Sequence, residues 1–131
     1  MNKVNASIIA IVSEEKVTLV GFLVGKTFLE MVSLGLSEQL VDGSGVSVGV
    51  KATSVALSRS KLNNISITNQ IESTITSIEM GRLLCCVEFS FEGVIWESVI
   101  TNTSAKEMQL QVGEKIVALI KSSDLSIVEV L

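Results

Sequence analysis

The 131-residue chain carries one order of strands and turns twice. A shift of 67 positions lays Ile8 on Ile75, Ile11 on Ile78, Val20 on Val87, Phe22 on Phe89, Glu30 on Glu97 and Val32 on Val99. After a three-residue difference, a shift of 70 lays Gly43 on Gly113, Val46 on Ile116, Val50-Lys51-Ala52-Thr53 on Ile120-Lys121-Ser122-Ser123 and Leu57 on Ile127. Few residues are identical, and two all-β halves share some pattern by chance. The recurring strand order, turn positions and strand-end lysine argue for a true repeat. A repeat decides the fold before any local propensity does, because the chain is then one small module built twice.

Each copy reads as short strands. Residues 4–12, 16–24, 27–33, 46–50 and 55–57 are strand candidates in the first half. Residues 71–78, 83–91, 94–101, 115–120 and 125–130 are their counterparts in the second. Turn signals separate them: Ser13-Glu14-Glu15, Gly25-Lys26 and Asp42-Gly43-Ser44-Gly45, then Glu79-Met80-Gly81-Arg82, Glu92-Gly93 and Gly113-Glu114. Gly25 supplies the positive φ that a two-residue hairpin turn demands. Residues 34–41 and 104–110 read as short helical pieces, and the polar stretch 58–64 as a connector. Short strands at even spacing predict a small barrel or sandwich. About five strands with one short helix is an OB-like barrel. The expected fold is all-β, two OB-like small β-barrel modules in tandem, each with one short helix, over residues 1–60 and 61–131.

Composition narrows the function. Hydrophobic residues make up 47% and aromatic residues 4%, so the core must be aliphatic. The net charge is −4 and no run of Lys and Arg is present, which argues against a phosphate-backbone partner. No histidine is present, which removes the commonest general base and metal ligand. No nucleophile–base pair is visible, so an enzyme is not expected. Cys85 and Cys86 are adjacent and on a strand point to opposite faces, which excludes an ordinary disulfide between them. No apolar run reaches the ~18 residues of a membrane span. Met1-Asn2-Lys3 precedes a short apolar run broken by Ser13-Glu14-Glu15, which is not a signal peptide. A soluble cytoplasmic protein is expected.

Three polar clusters are candidates for binding. Ser104-Ala105-Lys106-Glu107 has the form of a capping box, with Ser104 accepting from the backbone of residue 107. Thr101-Asn102-Thr103 stands just before it, and a helix N-terminus with hydroxyls nearby suits an oxyanion. Lys121-Ser122-Ser123 puts a cation and two hydroxyls at a strand end. Ser66, Thr68, Asn69 and Gln70 open the second copy. Taken singly these are a helix start, a solvated strand end and a polar linker. Together they are hydrogen-bond donors with a single cation and no acid–base pair, a set suited to holding a small oxyanion.

The stretch Ser66-Ile67-Thr68-Asn69-Gln70-Ile71-Glu72-Ser73-Thr74-Ile75 resembles the opening S-A-R-N-Q-[LI]-K-G-T-[IV] of the molybdenum-pterin-binding (Mop) domain, one of the TOBE group of OB-like domains. Thr101-Asn102-Thr103-Ser104 resembles its T-x-x-S helix start. The run from Leu110 to Ser123 resembles its L-x-x-G-x-x-V-x-A-x-[IV]-K-A-[ST] close. The first half is similar to a degenerate copy, with Gly43 and Val50-Lys51-Ala52-Thr53 matching the close. The whole chain thus resembles a tandem, di-Mop molbindin.

That resemblance implies cytoplasmic binding of molybdate or tungstate, for storage, buffering or sensing, with no organic cofactor. It implies oxyanion contacts from Ser66, Thr68, Asn69, Thr101, Ser104, Lys121 and Ser122, with Lys51 and Ala52 serving the first copy. It also implies a homo-oligomer, a trimer of tandem chains, and the thin core of a module of about 65 residues points the same way. The chain departs from the pattern in several places. Thr68 stands where the family has Arg, Glu72 where it has Lys and Ser73 where it has Gly. Asn2-Lys3 falls on the N-Q of the first copy, whose S-A-R part has no counterpart, and Leu34-Gly35-Leu36-Ser37 lacks the T-x-x-S order. Fewer or weaker sites are therefore expected than in a standard member. The alternative is a non-catalytic OB-like module that docks a partner protein without binding an anion.

Overall fold

The computed structural model describes residues 1–35 and 40–131. The first half contains β1 (Asn2–Glu14), β2 (Val17–Val24), β3 (Thr27–Leu34), β4 (Gly45–Val50), a 3₁₀ turn (Ala52–Ser54) and β5 (Ala56–Ser58). The second contains β6 (Asn69–Met80), β7 (Leu84–Phe91), β8 (Val94–Thr101), helix α1 (Asn102–Met108), β9 (Lys115–Ile120), a 3₁₀ turn (Ser122–Asp124) and β10 (Ser126–Val130). Each strand expected from the sequence forms, with ends shifted by up to two residues. Half of the helical piece expected over residues 34–41 falls on residues 36–39, which lie outside the described residues; of the rest, Leu34 ends β3 and Gly35, Leu40 and Val41 are not helical.

β1 shows why these segments are strands. Asn2, Val4, Ala6 and Ile8 are buried while Lys3, Asn5 and Ser7 are exposed, the period-two alternation of a strand covering a core. β6 repeats it with Asn69, Ile71, Ser73 and Ile75 buried. A bulge shifts the register between Ile8 and Ala10 in β1, and again between Ile75 and Ser77 in β6, so even the irregularity repeats at 67 positions. The β2–β3 hairpin turns at Gly25-Lys26, with φ 58° at Gly25. The β7–β8 hairpin turns at Glu92-Gly93, where both residues have positive φ, 50° and 73°, as a type I′ turn requires. β1 and β6 run further than expected, so their turns fall later, at Glu15-Lys16 and Gly81 to Leu83.

The strands form two five-stranded antiparallel sheets, ordered β10-β4-β1-β2-β3 and β5-β9-β6-β7-β8. These are the tandem OB-like modules, and each borrows a strand from the other half of the chain. β5 pairs with β9, Leu57 opposite Ala118, and β10 pairs with β4, Ile127 opposite Val48. The core repeats too. Phe22 and Phe89 are fully buried at equivalent positions, as are Val20 and Val87. Trp96 packs edge-on against Phe91 with ring centroids 5.1 Å apart. Its indole N–H crosses to the first half and donates to the Lys3 carbonyl at 3.0 Å. Cys85 is buried and Cys86 half-buried on the other face, both as free thiols, as their adjacency on a strand demands.

Candidate functional site

Some of the sequence-predicted residues lie where the two modules meet. β6 begins at Asn69, which lies opposite Ile120, the last residue of β9. Lys121 follows directly, extended, and leads into the Ser122–Asp124 turn. The strand order therefore brings Asn69, Lys121 and Ser122 to one corner. β3 of the other module closes it. Asn69 is 0% exposed, and both polar atoms of its side chain bind the backbone of Glu30. Its Nδ2 donates to the Glu30 carbonyl at 2.9 Å, and the Glu30 N–H donates to its Oδ1 at 2.8 Å. Ser122 Oγ donates to the Glu30 carboxylate at 3.5 Å. Lys121 is exposed and Ser122 half-buried.

An equivalent corner forms on the other side. Asn2 lies opposite Val50, the end of β4, and Lys51 leads into the Ala52–Ser54 turn. The side chain of Asn2 binds the backbone of Glu97 with two 2.8 Å hydrogen bonds, its Nδ2 donating to the carbonyl and its Oδ1 accepting from the N–H. The Ala52–Ser54 turn packs on β8, and the buried Ser98 hydroxyl donates to the Val55 carbonyl at 2.6 Å. Both Asn residues and both Glu residues are related by the 67-residue repeat. The corners differ in chemistry. One offers a serine hydroxyl after its lysine, and the other an alanine methyl.

Thr101 ends β8, the strand on which the Ala52–Ser54 turn packs, and Ser104 follows in α1. Thr101, not Ser104, caps α1. Its hydroxyl accepts from the Ser104 N–H at 3.1 Å and the two hydroxyls lie 3.0 Å apart. The helix thus starts at Asn102, earlier than the Ser104–Glu107 box predicts, because the threonine hydroxyl reaches its third N–H first. Asn102 holds the β6–β7 turn, donating from Nδ2 to the Gly81 carbonyl at 2.8 Å.

Ser66 and Thr68 are exposed in the connector ahead of β6. Thr68 lines a cleft of about 460 Å³ with Lys26, Thr27, Lys61, Gln70 and Glu92. Gln70 pins this connector, accepting from the Leu62 N–H at 2.8 Å and donating to the Leu62 and Ile67 carbonyls. Arg59 pins its start, donating to Glu114 at 2.8 Å and to the Met108 and Gln109 carbonyls at the end of α1. The Arg59 hydrogen bond holds the Glu114 carboxyl below its ordinary value. Burial pushes both thiols up, and the carboxylates of Glu97, Glu88 and Glu79 push Cys86 further. Among the described residues no three His, Cys, Asp or Glu side chains cluster as a metal site. The sequence-predicted residues thus divide: Asn69, Lys121 and Ser122 at one corner, Lys51 and Ala52 at its twin, Thr101 and Ser104 at the helix start, Ser66 and Thr68 along the connector. Glu30 and Glu97 are the partners that sequence reasoning does not single out, although the repeat pairs them.

Residues 65–127 match the TOBE domain. No curated protein sequence matches the chain. Among solved structures, the chain is similar to the cytoplasmic molybdate-binding protein ModG in a form with molybdate bound. The TM-score is 0.89 at 26% identity, over 95% of this chain and 93% of that one. A molybdate-binding protein from Sporomusa ovata aligns with 51% of this chain and 100% of its own, at 25% identity and a TM-score of 0.49.

Proposed function

We infer that the chain is a tandem Mop/TOBE protein of molbindin type and that it binds a small tetrahedral oxyanion, molybdate or tungstate. It is a binding protein rather than an enzyme. One observation carries the reading: the likeness to a molybdate-bound protein runs over 95% of the chain at 26% identity. The local chemistry agrees. A tetrahedral dianion presents only acceptors, so it is held by donors. Lys121, Ser122, Ser66, Thr68, Thr101 and Ser104 supply an ammonium group and five hydroxyls. Lys51, with the backbone at Ala52, is a poorer set in the first repeat. We assign the repeats to residues 1–60 and 61–131 and the working form to a trimer of tandem chains in the cytoplasm, where the protein stores, buffers or senses the anion. The missing family arginine at Thr68, the Glu30 carboxylate and a net charge of −4 all weaken anion binding, so weaker or fewer sites follow.

Titration calorimetry with molybdate, tungstate and sulfate tests the reading. Heat with the first two that disappears in Lys121→Ala supports it. Silence with all three favours the second reading, a docking module. That reading has its own support in the outer face of the first sheet. There Val12, Leu19, Leu23 and Phe28 are exposed, with Val12 opposite Leu19 and Leu23 opposite Phe28.

A further inference from the structure

We propose that Asn69 is a positioning residue for the oxyanion site and not one of its ligands. The proposal rests on the oxyanion reading and deepens it. A ligand side chain must keep a donor for the anion. Asn69 offers none that an anion can reach: Nδ2 donates one N–H to the Glu30 carbonyl at 2.9 Å, Oδ1 accepts from the Glu30 N–H at 2.8 Å, and the second N–H is enclosed with a residue that is 0% exposed. The pairing uses one donor and one acceptor at a fixed spacing, and among short side chains only an amide presents both in one plane.

The place of this clamp gives it a functional consequence. Asn69 opens β6 and lies opposite Ile120, so it fixes the end of the strand from which Lys121 and Ser122 leave. Its other partner, Glu30, is the residue whose carboxylate Ser122 Oγ meets at 3.5 Å. Asn69, Glu30 and Ser122 therefore form one junction between the modules, with Lys121 next to it. Loosening Asn69 lets β3 part from the corner, and the donors lose their shared frame. Outside contacts that orient a ligand shell act in this way without touching the ligand.

The repeat supplies the control. Asn2 makes the same clamp on Glu97, but its corner carries Ala52 where the other carries Ser122. A purely structural role predicts that Asn2→Ala and Asn69→Ala behave alike in every assay. A positioning role predicts that both lower the thermal midpoint, while Asn69→Ala weakens molybdate clearly more than Asn2→Ala, whose corner holds the poorer donor set.

Both variants are titrated with molybdate by calorimetry at a temperature where the emission of the buried Trp96 reports them folded. The expected result is a Kd about tenfold or more weaker for Asn69→Ala, the range seen when a ligand-orienting partner is removed. Asn2→Ala should cost several-fold less than Asn69→Ala, because its corner holds only Lys51 and the Ala52 backbone. Should Asn69→Ala fail to fold, Asn69→Ser replaces it, keeping one hydrogen bond of the two. Unchanged affinity in the folded Asn69 variant overturns the proposal, and so does an equal loss in Asn2→Ala. If the unmodified chain itself takes up no molybdate, the oxyanion reading fails and the positioning role goes with it.

Discussion

Removal of residues 126–131 should loosen the first sheet, although these residues close the second half of the chain. β10 lies on β4, with Ser126 opposite Gly49, Ile127 opposite Val48, Glu129 opposite Ser47 and Val130 opposite Val46. The Leu131 N–H adds a hydrogen bond to the Gly45 carbonyl at 2.9 Å. Four pairs and this last bond amount to about five backbone hydrogen bonds. At about 0.5–1.5 kcal/mol each they contribute on the order of 3–7 kcal/mol, and half-buried Ile127 adds apolar burial. Most of β10 is otherwise exposed, including Val128 and Val130, as is Leu131 after it, so little else offsets the loss. Truncation after Leu125 keeps that buried leucine and removes only the strand. Hydrogen exchange followed by mass spectrometry reads the outcome. Amides of β1 and β4 should lose protection first, while those of β6 and β9 keep theirs. Early loss in β6 and β9, with β4 protected, would refute the strand exchange and return β10 to its own half.

Two further outcomes concern charge. Arg59→Ala should release the end of α1 and raise the Glu114 carboxyl toward its ordinary value. Because Glu114 is held low only in the folded chain, its contribution is complete above the ordinary carboxylate range and vanishes as pH falls through the lowered value. The gap in thermal midpoint between the unmodified chain and Arg59→Ala should therefore narrow on acidification, and a gap that widens would contradict the assignment. Glu30→Gln removes the carboxylate beside Ser122. Like charges about 4 Å apart repel by about 1 kcal/mol in water, so calorimetry should show molybdate bound about fivefold more tightly, with the gain shrinking in salt.

The legible parts of the fold were those written in short range. Strand alternation and hairpin turns fix ten strands, because Gly25-Lys26 or Glu92-Gly93 between apolar runs admits few geometries. The exchange of β5 and β10 was not legible. Leu57 and Ile127 alternate identically whether they pair at home or across, and the choice is made by contacts some 60–80 residues apart in sequence. Overlapping signals obscure the helix start in the sequence. Thr101…Ser104 and Ser104…Glu107 are both capping frames three residues long, and only the course of β8 decides between them. Asn69 was visible as a polar residue at a strand start, but an amide that faces a ligand and one that clamps a neighbouring strand have the same sequence signature.

Several interior positions match between the two copies, while their outer faces differ. Phe22 and Phe89, Val20 and Val87, Ile8 and Ile75 are buried pairs, and the Asn2–Glu97 and Asn69–Glu30 clamps match in geometry. Packing tolerates little change at such positions. On the outer face, Leu19, Leu23 and Phe28 stand where the second copy has Cys86, Ser90 and Ile95. Ala52 stands where it has Ser122, and Leu34 where it has Thr101. Most of these changes leave the first copy with an apolar side chain where the second has a thiol or hydroxyl; Phe28 for Ile95 exchanges one apolar side chain for another. The clamps then bring unlike halves together. The Lys121–Ser122 corner faces β3, which ends at Leu34, and the Lys51–Ala52 corner faces β8, which ends at the Thr101 hydroxyl. Donors are thus unevenly divided between the two copies, and the Lys121–Ser122 and Lys51–Ala52 corners differ in chemistry although their clamps match.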